Sequence, residues 1–97
     1  MSQDNNTDQF YQKLKIQLQD TSLWPTQYLF KFIVKTNKEK IKDIQDIFDN
    51  VGAVIDTKPS KNGNYTSVSV HVTMKNPDAV INKYKIVAER VEGVISL

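Results

Sequence analysis

The pair Asn62-Gly63, followed by Tyr65-Thr66-Ser67-Val68-Ser69-Val70-His71-Val72-Thr73-Met74, constrains the fold of this chain more than any other stretch. Asn and Gly tolerate the left-handed backbone of a tight hairpin turn, so both residues are expected at positive φ. Beyond the turn, the side chains of an extended strand alternate between two faces. Val68, Val70, Val72 and Met74 then share one face, and Tyr65, Ser67, Ser69, His71 and Thr73 share the other. That is the pattern of a strand buried on one side only.

The whole chain has 97 residues, enough for one domain that buries roughly 60–65% of its unfolded surface. With 39% apolar residues it can build one modest core. It contains no cysteine, which excludes a disulfide framework, a thiolate metal site and a thiol nucleophile. The opening residues Met1–Gln9 are polar and no long apolar run follows, so the expectation is a cytoplasmic protein with no membrane span. A net charge of +2 is mildly basic, and Arg90 is the single arginine. Lysines alternate with Asp and Glu along the helical stretches, as on solvated helix faces.

Residues 1–24 divide into a polar tail over Met1–Thr7 and an amphipathic helix with Phe10, Leu14 and Leu18 on one stripe. Trp24-Pro25 breaks the pattern. Residues 25–97 form the main domain. Tyr28–Lys35 alternates as a strand, with Tyr28, Phe30, Phe32 and Val34 on one face. Thr36-Asn37-Lys38-Glu39 matches a capping box, which assigns the cap to Thr36. A helix follows through Ile41, Ile44, Phe48 and Val51, and Gly52 stops it. Ala53–Lys58 is a second strand, and Pro59 places its end at a sheet edge. After the hairpin strand, Asn76-Pro77-Asp78 starts a helix with the stripe Val80, Tyr84, Val87 and Val91. Gly93 ends it, and Val94–Leu97 closes as a short strand. The order is an extra N-terminal helix, then β-α-β-β-α-β. Two split β-α-β units place two helices on one face of a four-stranded antiparallel sheet, an α+β ferredoxin-like sandwich.

The motifs Lys58-Pro59-Ser60, Gly63-Asn64-Tyr65, Ser67-Val68-Ser69-Val70 and Val91-Glu92-Gly93-Val94-Ile95 resemble the YbeD-like family of small bacterial proteins. The resemblance covers about Pro25–Leu97 and implies a ferredoxin-like fold similar to ACT regulatory domains, with function implied only by analogy. Val51-Gly52-Ala53-Val54-Ile55 is also similar to the passage from helix to second strand in ACT domains. Those domains carry a Pro-Gly or similar turn before the first helix, where an amino-acid effector binds. Here that position is Thr36-Asn37-Lys38-Glu39.

Little in the chain suits a reaction. His71 is the single histidine, and Ser, Thr and Tyr around it are poor metal ligands, so no metal or other cofactor is expected. Asp43, Asp46 and Asp49 recur at helical spacing opposite the apolar stripe, as on a solvated face. Ser67 and Ser69 lack an orienting acid and a nucleophile elbow. An acylphosphatase needs an arginine clamp near its first strand, and Arg90 lies at the end of the last helix.

A non-catalytic binding or regulatory module is the leading expectation, acting through a protein partner, a second copy of the chain or a small-molecule effector. Its candidate surface is the polar sheet face and the hairpin: Lys31, Lys35, Lys61, Asn62, Tyr65, Ser67, Ser69 and His71. The alternative is a single-stranded RNA binder that stacks bases on Tyr65 beside Lys31, Lys35 and Lys61. A third arrangement covers this face with the chain's own N-terminal helix through Phe10, Leu14 and Trp24.

Overall fold

The computed structural model describes the backbone of residues 2–97 and the side chains from residue 8 onward; Met1 lies outside the described residues. The elements are α1 (Ser2–Thr21), β1 (Thr26–Lys35), α2 (Lys38–Ile47), β2 (Val54–Pro59), β3 (Tyr65–Met74), α3 (Pro77–Arg90) and β4 (Ile95–Ser96). The sheet is antiparallel with strand order β2-β3-β1-β4. That order is the ferredoxin-like arrangement expected from the element pattern, with Pro59 on an edge strand.

Alternation decides which side of the sheet is dry. Phe30, Phe32, Val34, Val68 and Val70 are at most 1% exposed and face the helices, where they meet Ile44, Phe48, Val80, Val87 and Val91. Phe30 and Phe32 stack with ring centroids 6.0 Å apart, and both rings contact Phe48 and Tyr84. Thr66 is the one buried polar residue among those described, and its hydroxyl lies 2.9 Å from that of Thr36. That bond removes Thr36 from its expected role. Asn37 caps α2 instead, accepting from the backbone N–H groups of Glu39 and Lys40.

Three further expectations are corrected. Helix α1 begins at Ser2, so the polar tail expected to Thr7 is helical from Ser2 on. Once its packed turns are formed, each further residue adds a hydrogen bond at low cost. Its packed stripe is Tyr11, Leu14 and Leu18, spaced three and four apart and partly buried against the core, while Phe10 is exposed. Helix α2 ends at Ile47 and tightens into a 3₁₀ turn over Asp49–Val51. The tighter turn takes Val51 off the stripe and leaves Ile47 buried beside Phe48.

The hairpin also differs in detail. Gly63 alone is left-handed, at φ 78°, and no described non-glycine residue has positive φ. The Gly63 N–H donates to the Ser60 carbonyl, so Ser60–Gly63 is a β-turn with glycine at its end. Asn62 contributes its side chain instead, its Oδ1 accepting from the Asn64 N–H and the Ser60 hydroxyl.

Helix α1 lies against α3 on the helical side of the sheet. Lys15 pairs with Asp78 at 2.8 Å, and the Lys85 ammonium sits over the Tyr11 ring. The Trp24 indole N–H donates to the Leu18 carbonyl, which ties the α1–β1 link back onto the helix end. The open sheet face is therefore not covered by α1. Among the described residues no helix is long and apolar enough to cross a membrane.

Candidate binding face on the open sheet

Strand register brings the uncovered side chains into rows. Lys35 stands opposite Tyr65, and Ile33 stands between Ser67 and Ile95. In the next row Lys31 faces Ser69, which faces Asp56, and further along Leu29, His71 and Val54 line up. Lys58 completes the Ile33 row from the β2 side. Leu29, Val54, Tyr65 and Ile95 are 50%, 63%, 45% and 51% exposed on this one surface. Four apolar side chains, counting Ile33, and one aromatic ring thus share a face with hydroxyls and lysines.

Two shallow grooves cross this face. The one by the hairpin, about 300 Å³, is lined by Ile33, Lys58, Pro59, Lys61, Tyr65 and Ser67, among others. The other, about 450 Å³, lies at the far end between Leu29, Val54, His71 and Gly52. Tyr65 and His71 are six residues apart, about 20 Å along the strand. The candidate residues share one surface, but they divide between its two ends, with Lys31 and Ser69 in the middle. Asn62 is engaged inside the turn.

The structure adds Val54, Asp56, Lys58 and Ile95 to the face. Counting register back from the hairpin reveals the first three, since Asp56 pairs with Ser69 and Lys58 with Ser67. Ile95 could not be found that way, because β4 is two residues long and its register depends on tertiary packing. The Asp56 carboxylate stands 3.8 Å from His71 Nε2, a loose exposed pair across β2 and β3. Among the described residues no three metal-ligating side chains cluster. Ser67 donates its hydroxyl to the Lys58 carbonyl, at 3.4 Å, rather than to His71. On α2, Asp46 pairs with Lys42, and Asp49 belongs to the 3₁₀ turn.

The opposite side of the sheet carries a smaller apolar cleft of about 190 Å³ between α1 and β4, lined by Tyr11, Leu14, Tyr28, Tyr84 and Leu97, among others. At its base the Tyr28 and Tyr84 hydroxyls are 2.9 Å apart. Burial first, and then the hydrogen bond to Tyr28, push the Tyr84 phenol far above its ordinary value. Burial likewise raises that of Tyr11. These phenols stay neutral and act as packing groups.

No curated protein matches this chain. Among solved structures, the solution structure of protein HP0495 from H. pylori is similar at 16% identity, with a TM-score of 0.58 over 77% of this chain and 86% of that one. At that identity the likeness concerns the fold alone, and it agrees with the ferredoxin-like arrangement described above. A family model described as "Protein of unknown function (DUF493)" matches residues 19–94, which spans β1 to β3, α2, α3 and the hairpin motifs. The chain belongs to that family, the YbeD-like one whose motifs the hairpin and the closing Val91–Ile95 segment carry.

Proposed function

We propose that the chain is a non-catalytic binding or regulatory module of ACT-like architecture, working through the open sheet face on a protein partner or a small effector. One observation carries this reading. All three helices pack on one side of the sheet, leaving Leu29, Val54, Tyr65 and Ile95 exposed together on the other. Apolar side chains exposed together on one face among polar neighbours are a feature of contact sites. The pairing of Ser67 with a backbone carbonyl and the loose His71–Asp56 contact favour recognition over nucleophilic chemistry.

Single-stranded RNA binding is the second reading, favoured by Tyr65 standing opposite Lys35. Sheet-face RNA readers stack two or three bases on several aromatics. Tyr65 is the one Phe, Tyr or Trp on this face among the described residues, and His71 lies about 20 Å from it along the strand, which ranks RNA behind a protein or effector.

The double variant Tyr65→Ala with Ser69→Lys tests the proposal, because both side chains alternate away from the core. Its melting temperature is expected to match wild type, while recovery of bound partner or effector on the immobilised protein falls. Unchanged stability, oligomeric state and partner recovery would leave the face merely solvated and defeat the reading.

A further inference from the structure

We infer that the open face selects an acidic amphipathic protein segment, an apolar stripe flanked by carboxylates. This rests on the binding reading above and adds the chemistry of the partner. Lys31, Lys35 and Lys58 lie on the face and Lys61 lines the hairpin groove beside them, against Asp56 as the single acid. Four lysines less one aspartate give the face +3 in side-chain charge, whereas the whole chain carries +2. The rest of the molecule is therefore at −1, so the basic character is concentrated on this surface.

Of the eight lysines elsewhere, two make ion pairs, Lys15 with Asp78 and Lys42 with Asp46. Among the described residues none of the four face lysines makes an ion pair. A charge excess on one surface steers and selects a partner of opposite sign. The same excess disfavours a second copy, since two +3 faces would repel. Along the face, Ile33 and Ile95 stand side by side between lysines, and Leu29 and Val54 flank His71. An RNA strand would satisfy the lysines but bring nothing apolar to Leu29, Ile33, Val54 and Ile95. From Gln27 to Lys35 the face runs about 27 Å, the length of a helix of about 18 residues.

The test uses a fluorescein-labelled amphipathic peptide of that length, with a leucine stripe flanked by glutamates. Its twin carries lysine at every glutamate, and a short single-stranded oligouridylate is the third probe. By anisotropy the glutamate peptide is expected to bind, at least about tenfold more tightly than the lysine twin, with affinity falling as salt rises. Lys35→Glu with Lys58→Glu should weaken it about tenfold, and Lys38→Glu on α2 should leave it unchanged. Absence of binding, equal binding of both peptides, or tighter binding of the oligouridylate would overturn the inference. So would a dimer that Ile33→Lys dissociates, which would seat a second copy on the face. Leu29→Lys with Ile33→Lys separates the two levels of failure. If both peptides bind equally and this pair abolishes both, the face binds and only the charge selection fails. If the glutamate peptide survives the apolar and the lysine pairs alike, the face is not the site and the underlying reading fails with it.

Discussion

Phe32→Ala is expected to lower the unfolding free energy by about 3–5 kcal/mol. Phe32 is 0% exposed and sits in the middle of the sheet's inner face, where its ring contacts Phe30, Phe48 and Tyr84. It thus joins β1 to both α2 and α3. Truncation removes the transfer free energy of the ring and leaves a cavity that three aromatic neighbours in fixed rotamers cannot close. Phe30 and Val34, its neighbours on the same strand face, are held by their own partners and limit relaxation. Urea unfolding of the variant measures the effect. A loss below about 1 kcal/mol would place Phe32 outside the core, and the packing account of the fold would be wrong.

Gly63→Val is expected to cost about 1–3 kcal/mol, for a different reason. Gly63 has φ 78°, and a Cβ added there would meet nothing within 4 Å. No clash contributes, so the cost comes from holding a β-branched residue in the left-handed region. Gly63 is fixed there because its N–H closes the Ser60 turn while the Ser60 N–H bonds the Tyr65 carbonyl on the other side. Thermal melts compared with Gly63→Ala check the cause, since Val should cost more than Ala although neither substitution removes a packing partner. A Gly63→Val protein as stable as wild type would show that the turn readily adopts another conformation.

Both effects were legible in the sequence, and their legibility has a physical basis. The alternation of Phe30, Phe32 and Val34 with Leu29, Lys31 and Ile33 reports a sheet with one dry side, because strand geometry leaves no other placement. The Asn76 cap and the Val80-Tyr84-Val87-Val91 stripe were equally local, and the Ala79 N–H does donate to Asn76 Oδ1. Where tertiary partners decide, local signals failed. Thr36 matches a capping box, but Thr66 across the β1–β3 pair takes its hydroxyl and Asn37 caps the helix. Phe10 and Tyr11 are adjacent aromatics, and packing against the core and α3 partly buries Tyr11 and leaves Phe10 exposed.

The candidate face was half legible. Its β1 and β3 members follow from alternation. Val54, Asp56 and Lys58 required the register of the hairpin, and Ile95 required the placement of a two-residue strand. Above all, a stripe of Tyr11, Leu14 and Leu18 says that α1 must cover something, without saying which side of the sheet it covers. Packing against α3, fixed by the Lys15–Asp78 pair and the Tyr11–Lys85 stacking, settles that side. Three of the four face lysines, Lys31, Lys35 and Lys61, follow from alternation and the hairpin, and strand pairing adds Lys58.

Methyl and aromatic NMR tests the central claim, that the working face is open, most directly. Nuclear Overhauser contacts from Tyr11 and Leu14 should reach the Tyr28 and Tyr84 rings, and a soluble paramagnetic probe should broaden the methyl groups of Leu29, Ile33, Val54 and Ile95. Contacts from Phe10, Tyr11 or Leu14 to Leu29, Ile33 or Tyr65, together with methyls on that face shielded from the probe, would place α1 over the sheet and contradict the account.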